Sequence, residues 1–288
     1  MTVTISAFAD EINPSMQQQI AGLIEQKIKH IELRTLDGKN VSELTFEEAH
    51  RYKQQLDTAG ITVSSIGSPI GKININDPFS EHLELFKHVL HLANIFQSPY
   101  VRMFSFFIDP AENPDDYQEE VVTRWKAFVA IAKTYPEITL LHENEKEIFG
   151  DTPERCAYLL NELNNPQVKA VFDPANFVQC DVEAFPDAYE LLKPSIAYLH
   201  IKDARFSDHE VRPAGFGDGK LEEILNDLTS NGYNGFVSLE PHLTFFEGFE
   251  RLEPTNQQLT KKADNERMFI LASESLKKLL TKLDVRWQ

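Results

Sequence analysis

The chain has 288 residues, with 28 Lys plus Arg against 45 Asp plus Glu and a formal net charge of −17. Clustered cations drive nucleic-acid binding and adhesion to anionic membranes, so this balance excludes both a polyphosphate partner and a purely electrostatic hold on a membrane. Hydrophobic residues at 42% and charged residues at 25% describe a globular chain, long enough to bury about 75% of its unfolded surface without disulfide or metal staples.

From the amino terminus, MTVTISAFADEI lacks the basic start and long apolar core of a secretory signal, and the expected location is the cytoplasm. No window holds the roughly 20 consecutive apolar residues of a membrane span. TVTISAF (2–8) reads as a first buried strand. Asn13-Pro14 then caps a helix whose apolar face is Met16, Ile20, Leu23, Ile24 and Ile28. HIELR (30–34) is the second strand, and Thr45 with Glu48 forms a capping box for a helix that Gly60 stops. Strands three and four are ITVSSI (61–66) and PYVRMF (99–104), separated by a helix carrying His82, His88 and His91. Asn113-Pro114 and Thr152-Pro153 repeat the capped-proline start on either side of ITLLH (138–142). KAVFD (169–173), IAYLHI (196–201) and GFVSL (235–239) complete eight strands, and a last helix runs around 265–283.

The strand centres recur about every 27 to 39 residues, the length of a strand-plus-helix unit. Continuous apolar runs suit strands buried on both faces of a parallel sheet. No linker or second composition regime interrupts the pattern, so residues 1–288 read as one α/β domain, a single (β/α)8 barrel. A doubly wound open sheet would carry a glycine-rich first turn, where this chain has SAFADEIN. Cys156 and Cys180, with no CxxC pair, read as free thiols.

Barrels of this kind carry their chemistry at the carboxyl ends of the strands. Glu143, Asp173, His200 and Glu240 end four consecutive strands, each after an apolar run. Neighbouring strands lie about 4.8 Å apart and barrel closure bends the arc inward, so four such side chains can converge on one ion. Three clustered carboxylates repel without a cation between them. The alternative is a charge network with Lys202 and Arg205. Three oxygens and one nitrogen suit one divalent metal ion such as Mn2+, Mg2+ or Co2+, with Zn2+ also compatible.

The segments LLHEN, VFDPAN, YLHIKD and SLEP, in this order and spacing, resemble the xylose isomerase-like sugar isomerase/epimerase superfamily of TIM barrels. The resemblance covers nearly the whole chain and implies that Glu143, Asp173, His200 and Glu240 hold one divalent metal. Many relatives, ketose 3-epimerases among them, carry a His three residues after the Asp ligand. This chain has Asn176 there, so a substrate contact at that position differs in kind. Zinc-dependent abasic-site endonucleases share the barrel but need further His and acidic ligands. The charge of −17 and the few His at strand ends speak against them here. Relatives often assemble as homodimers or homotetramers, and the resemblance carries that expectation.

A metal with two open positions can chelate a carbonyl oxygen and a neighbouring hydroxyl, stabilising the enediolate left when a carbon-bound proton departs. Glu143 and Glu240, from opposite sides of the arc, would be the catalytic acid/base pair of a sugar isomerase or epimerase. The same enediolate arises when a β-keto acid loses CO2 or a β-hydroxyl leaves, which makes a decarboxylase or dehydratase of a keto sugar acid the alternative. Arg34, Lys72, Arg102, Lys202 and Arg212 fall at or after strand ends. In a chain short of positive charge they point to an anionic sugar or sugar acid as substrate, although each alone also fits a salt bridge. SIGSPIGKI (65–73) reads as a backbone approach to substrate or as a plain tight turn, and AGFGDGKL (214–221) as an anion cradle at a helix start. Phe104, Phe106 and Phe107 are lid or core residues, with core favoured, and His142 should pack on the far side of its strand.

Overall fold

The computed structural model describes residues 1–243 and 264–288. All eight expected strands form: β1 (Thr2–Ala7), β2 (His30–Leu33), β3 (Thr62–Gly67), β4 (Tyr100–Met103), β5 (Thr139–Glu143), β6 (Val168–Phe172), β7 (Ile196–Ile201) and β8 (Phe236–Leu239). They pair in parallel in the order β1-β8-β7-β6-β5-β4-β3-β2, and the sheet curls until β1 and β2 stand side by side. A short carboxyl-terminal strand, Arg286–Trp287, joins the other edge of β1 at Thr2 and Val3.

Around the sheet run α1 (Met16–Glu25), α2 (Phe46–Ala59), α3 (Phe79–Phe96), α4 (Gln118–Ala132), α5 (Pro153–Leu163), α6 (Pro174–Gln179), α7 (Tyr189–Leu192), α8 (Leu221–Ser230) and α9 (Asp264–Lys282). Local signals set several of these ends. Thr45 and Glu48 exchange both capping-box hydrogen bonds, and Gly60 ends α2 in the left-handed region at φ 70°. Thr152 accepts from the Arg155 amide ahead of Pro153. Asn113-Pro114 opens a single 3-10 turn, and α4 follows it.

The first helix departs from expectation. Asn13 Oδ1 accepts from the Ser15 amide and forms a turn, so the helix begins at Met16, whose amide is capped by Asp37 from a distant hairpin. Ile24, expected on the buried face, is 54% exposed. Met16 and Leu23 are buried, as is Ile28 just beyond the helix end.

Strand residues alternate between two cores because successive side chains point to opposite faces. Val3, Ile5, Ile31, Val63, Val101, Leu140, Phe172, Leu199 and Val237 are buried in the main core, which includes helix residues. Inside the barrel, Leu141, Val171 and Tyr198 pack with Tyr100 and Phe236 into a separate apolar cluster. Two residues further along four of these strands stand Arg102, Glu143, Asp173 and His200, all buried. Glu240 follows Phe236 and Ser238 on the same alternation.

Phe104 and Phe106 are fully buried, which bears out the core expectation for those two, and Phe107 is partly buried. The 65–73 loop is tied to the end of β4: Ser68 Oγ donates to the Arg102 carbonyl. Gly71, at φ +88°, lies so close to Phe104 that a Cβ would stand 2.1 Å from its carbonyl oxygen. That supports the tight-turn alternative.

Candidate metal centre

The end of β5 is locked to the end of β6 by a reciprocal amide clasp. Asn144 donates to the Asp173 carbonyl at 2.8 Å and accepts from the Asp173 amide at 2.9 Å. Asp173 then caps α6, its Oδ1 accepting from the Asn176 amide at 2.9 Å, with Pro174 at the first helical position. One carboxylate oxygen is thereby spent on the helix start, and Oδ2 is turned to the barrel axis.

Glu143, Asp173, His200 and Glu240 meet there as expected. All four are buried and each offers a ligand atom within 4.8 Å of the others. His200 Nδ1 lies 2.9 Å from Glu143 Oε1, 3.6 Å from Glu240 Oε2 and 3.7 Å from Asp173 Oδ2. Asp173 Oδ2 is sealed from solvent and has no aligned hydrogen bond, and it faces Lys202 Nζ at 3.0 Å and His200 Nδ1 at 3.7 Å as ion pairs. A buried carboxylate oxygen left this way, among two more carboxylates and an imidazole, fits a divalent cation.

The charges reinforce each other. Burial would raise the Glu143 carboxyl, but His200 and Arg102 outweigh it and hold it at about 2. Glu240 is likewise held below its usual range despite burial, by Lys202, His242, His200 and Arg34. Burial lowers His200, and the Glu143 and Glu32 carboxylates more than reverse that, so the net shift is upward. Lys202 is also raised against the pull of burial, by Asp173 and Glu240. Both glutamates are therefore carboxylates near neutrality, which is the form a base needs.

The expected substrate contacts separate into two groups. Arg102 Nη1 stands 3.3 Å from Glu143 Oε2, Asn176 Nδ2 donates to Glu143 Oε1 at 3.3 Å, and Lys202 Nζ donates to Glu240 Oε2 at 2.8 Å. Arg34 reaches Glu240 Oε1 at 3.3 Å while paired with Asp10 and Glu11. Lys72 and Arg212 form the second group, paired with carboxylates outside the quartet. Lys72 covers the Phe104 ring at 4.2 Å and meets Glu145 at 3.4 Å, and Arg212 pairs with Asp208 and Glu210 of its own loop. All five cations thus have carboxylate partners from this chain, the salt-bridge alternative that each of them carried.

Two expectations resolve differently. The 214–221 loop is an anion cradle, and its anion is the chain's own Asp203. The amides of Gly215, Gly217 and Gly219 donate to that carboxylate at 3.0, 2.9 and 2.9 Å. A Cβ on Gly217 would fall 2.3 Å from Asp203 Oδ1, so only glycine permits the approach. His142 packs away from the site as expected, against Trp125 and Ser105, and burial lowers its imidazole to about 4.

Sequence reasoning overlooked Phe8 and assigned Glu32 no role. Phe8 lies beneath the Arg34 and Arg102 guanidiniums at 4.5 and 5.4 Å and edges onto the His200 ring at 5.3 Å. The Glu32 carboxylate approaches His200 Nε2 at 3.2 Å. Glu32 was legible as an inward position, since Glu32 follows His30 on β2 by one step of the two-residue period.

The model of the xylose isomerase-like TIM barrel family matches residues 25–262, and the chain belongs to that family. Among curated proteins, none matches it. Several solved structures share the fold over nearly their full length. One is the probable 3-DHS dehydratase AsbF involved in petrobactin synthesis from Bacillus anthracis, at 18% identity and a TM-score of 0.72, covering 97% of this chain and 98% of that one. A D-tagatose 3-epimerase-like protein aligns at 16% identity and a TM-score of 0.73, covering 99% and 98%. The IOLI protein with a bound zinc atom aligns at 17% identity and 0.73, covering 98% and 99%. At these identities the likeness is one of fold.

Proposed function

We propose that this protein is a divalent-metal-dependent isomerase or epimerase of a sugar or sugar derivative, with Glu143 and Glu240 as its acid/base pair. The observation that carries the proposal is the buried quartet, in which both glutamates flank His200 Nδ1 at 2.9 and 3.6 Å. Glu143, Asp173, His200 and Glu240 would hold the ion, and the zinc of the IOLI protein supports a metal on this frame. When bound, a divalent ion supplies positive charge to an enediolate as it forms. The chain's own groups do the rest. Arg102 and Asn176 orient Glu143 from one side, and Lys202 and Arg34 orient Glu240 from the other. One carboxylate takes a carbon-bound proton, and the other returns one to the adjacent carbon or to the opposite face. Phe8 lies beneath Arg34 and Arg102, and Phe104 beneath Arg102 and Lys72, so apolar rings back the charged groups.

The pairing of every expected cation with a carboxylate supports a neutral polyol over an anionic sugar acid, and so favours this reading over the lyase. The test is incubation of neutral ketoses and keto sugar acids in D2O with protein loaded with Mn2+, Co2+, Mg2+ or Zn2+. Deuterium should enter at carbon without loss of CO2 or water, and fall by about 100-fold or more in Glu143→Gln or Glu240→Gln. Release of CO2 or water would establish the lyase instead.

A further inference from the structure

Glu32 is a buried acidic side chain that the proposed chemistry does not use. It comes from β2, across the barrel from β7, and its side chain is sealed from solvent. An ionised carboxylate in such a place is costly unless it is paired. Its partner is His200 Nε2, at 3.2 Å from one carboxylate oxygen and 3.4 Å from the other. The opposite ring nitrogen, Nδ1, is the one that faces Glu143, Asp173 and Glu240. The ring itself is held edge-on by Phe8 at 5.3 Å and by Tyr198 at 5.9 Å, so its orientation is set by packing.

We infer that Glu32 is a positioning residue that selects the tautomer of His200, holding the proton on Nε2 so that the Nδ1 lone pair is presented to a cation. A carboxylate can only accept at Nε2, and a neutral imidazole carries one proton. Without a metal, Glu143 Oε1 at 2.9 Å accepts at Nδ1 as well; a cation entering the quartet would displace that proton, and the one Glu32 accepts stays on Nε2. The negative charge behind the ring also makes Nδ1 a stronger donor, as carboxylate–histidine pairs do behind other metal sites. The inference rests on the metal reading of the quartet. It adds that the metal site depends on a strand from the other side of the barrel.

The test uses Zn2+ alone, titrated into the full-length protein against a chromogenic chelator, and 15N-histidine spectra of the zinc-loaded form. Glu32→Leu, which removes the acceptor, should weaken Zn2+ binding by about 10- to 100-fold. It should also move the His200 Nε2-bound proton upfield. Glu32→Gln keeps an acceptor without the charge and should fall between the two, and it decides the matter if the Leu variant fails to fold. Zinc affinities within twofold of wild type, or an unshifted Nε2 proton in both variants, would overturn the role of Glu32. Failure of the wild-type protein to bind Zn2+ would overturn the metal reading, and this inference with it.

Discussion

Lys202 occupies the most instructive position of any single side chain. Its ammonium stands 3.0 Å from Asp173 Oδ2 and 2.8 Å from Glu240 Oε2, the same oxygens that face His200 Nδ1. A cation there would compete with a divalent ion for two of the proposed ligands. Removing it leaves the three carboxylates with less positive charge nearby. Lys202→Met should therefore bind Mn2+ or Zn2+ about tenfold more tightly, or about 1.4 kcal/mol, as read by calorimetric titration. Unchanged or weaker binding would show that Lys202 supports the ligands without competing for them. The residue was legible as a strand-end cation beside His200. Its partners were not, because Asp173 and Glu240 arrive from two other strands.

The segment from Asp203 to Gly219 folds back on itself directly after β7. Asp203–Ala204 pairs antiparallel with Val211–Arg212, and the glycine loop beyond folds back so that its amides close on Asp203. A hydrogen bond to a charged acceptor contributes about 1.5–3 kcal/mol, and buried donors left without one add a penalty of their own. Asp203→Ala should thus lower unfolding stability by about 2–4 kcal/mol in a urea titration. Gly217→Ala should act in the same direction, because its Cβ would fall on the Asp203 carboxylate. If both substitutions left the urea midpoint unmoved, the clasp would have no weight in the fold. Glycines spaced two apart before a helix correctly announced an anion. They carried no information about where it came from, since a carboxylate of the chain and a ligand phosphate make the same demand on backbone amides.

Across the whole molecule, the buried histidines set a pH limit. Burial lowers His142 to about 4, and burial with Arg124 nearby lowers His82 to about 4. An unfolded histidine titrates near 6.5, so between that value and 4 the unfolded chain holds more protons than the folded one. Stability from these two groups is fully present above pH 6.5 and is lost as the pH falls toward 4. His200 and His242 are raised above 6.5, so their stabilisation is fully present below that value, is lost only as the pH rises above it, and adds no slope within this window, while Glu143, held at about 2, responds only below the ordinary glutamate range. Thermal midpoints should accordingly fall from pH 6.5 to pH 4.5, and His142→Gln should flatten part of that decline. A wild-type midpoint constant over this range would contradict the burial of both imidazoles.

The sequence by itself determined the barrel and its buried quartet, because both are written in local terms. Apolar runs of strand length recur at βα spacing, and Glu143, Asp173, His200 and Glu240 each follow such a run directly. Strand direction and the two-residue alternation then suffice to bring the ends of neighbouring parallel strands together. Tertiary structure alone decided who neutralises whom. Sequence separations of 24 for Asp10 and Arg34, 168 for Glu32 and His200 and 12 to 16 for Asp203 and its glycines are bridged by barrel closure and loop return. A charge in a sequence shows its sign and its place along a strand. Its partner depends on distance in space, and in a chain of net charge −17 each of the five strand-end cations has a carboxylate of this chain within ion-pair reach.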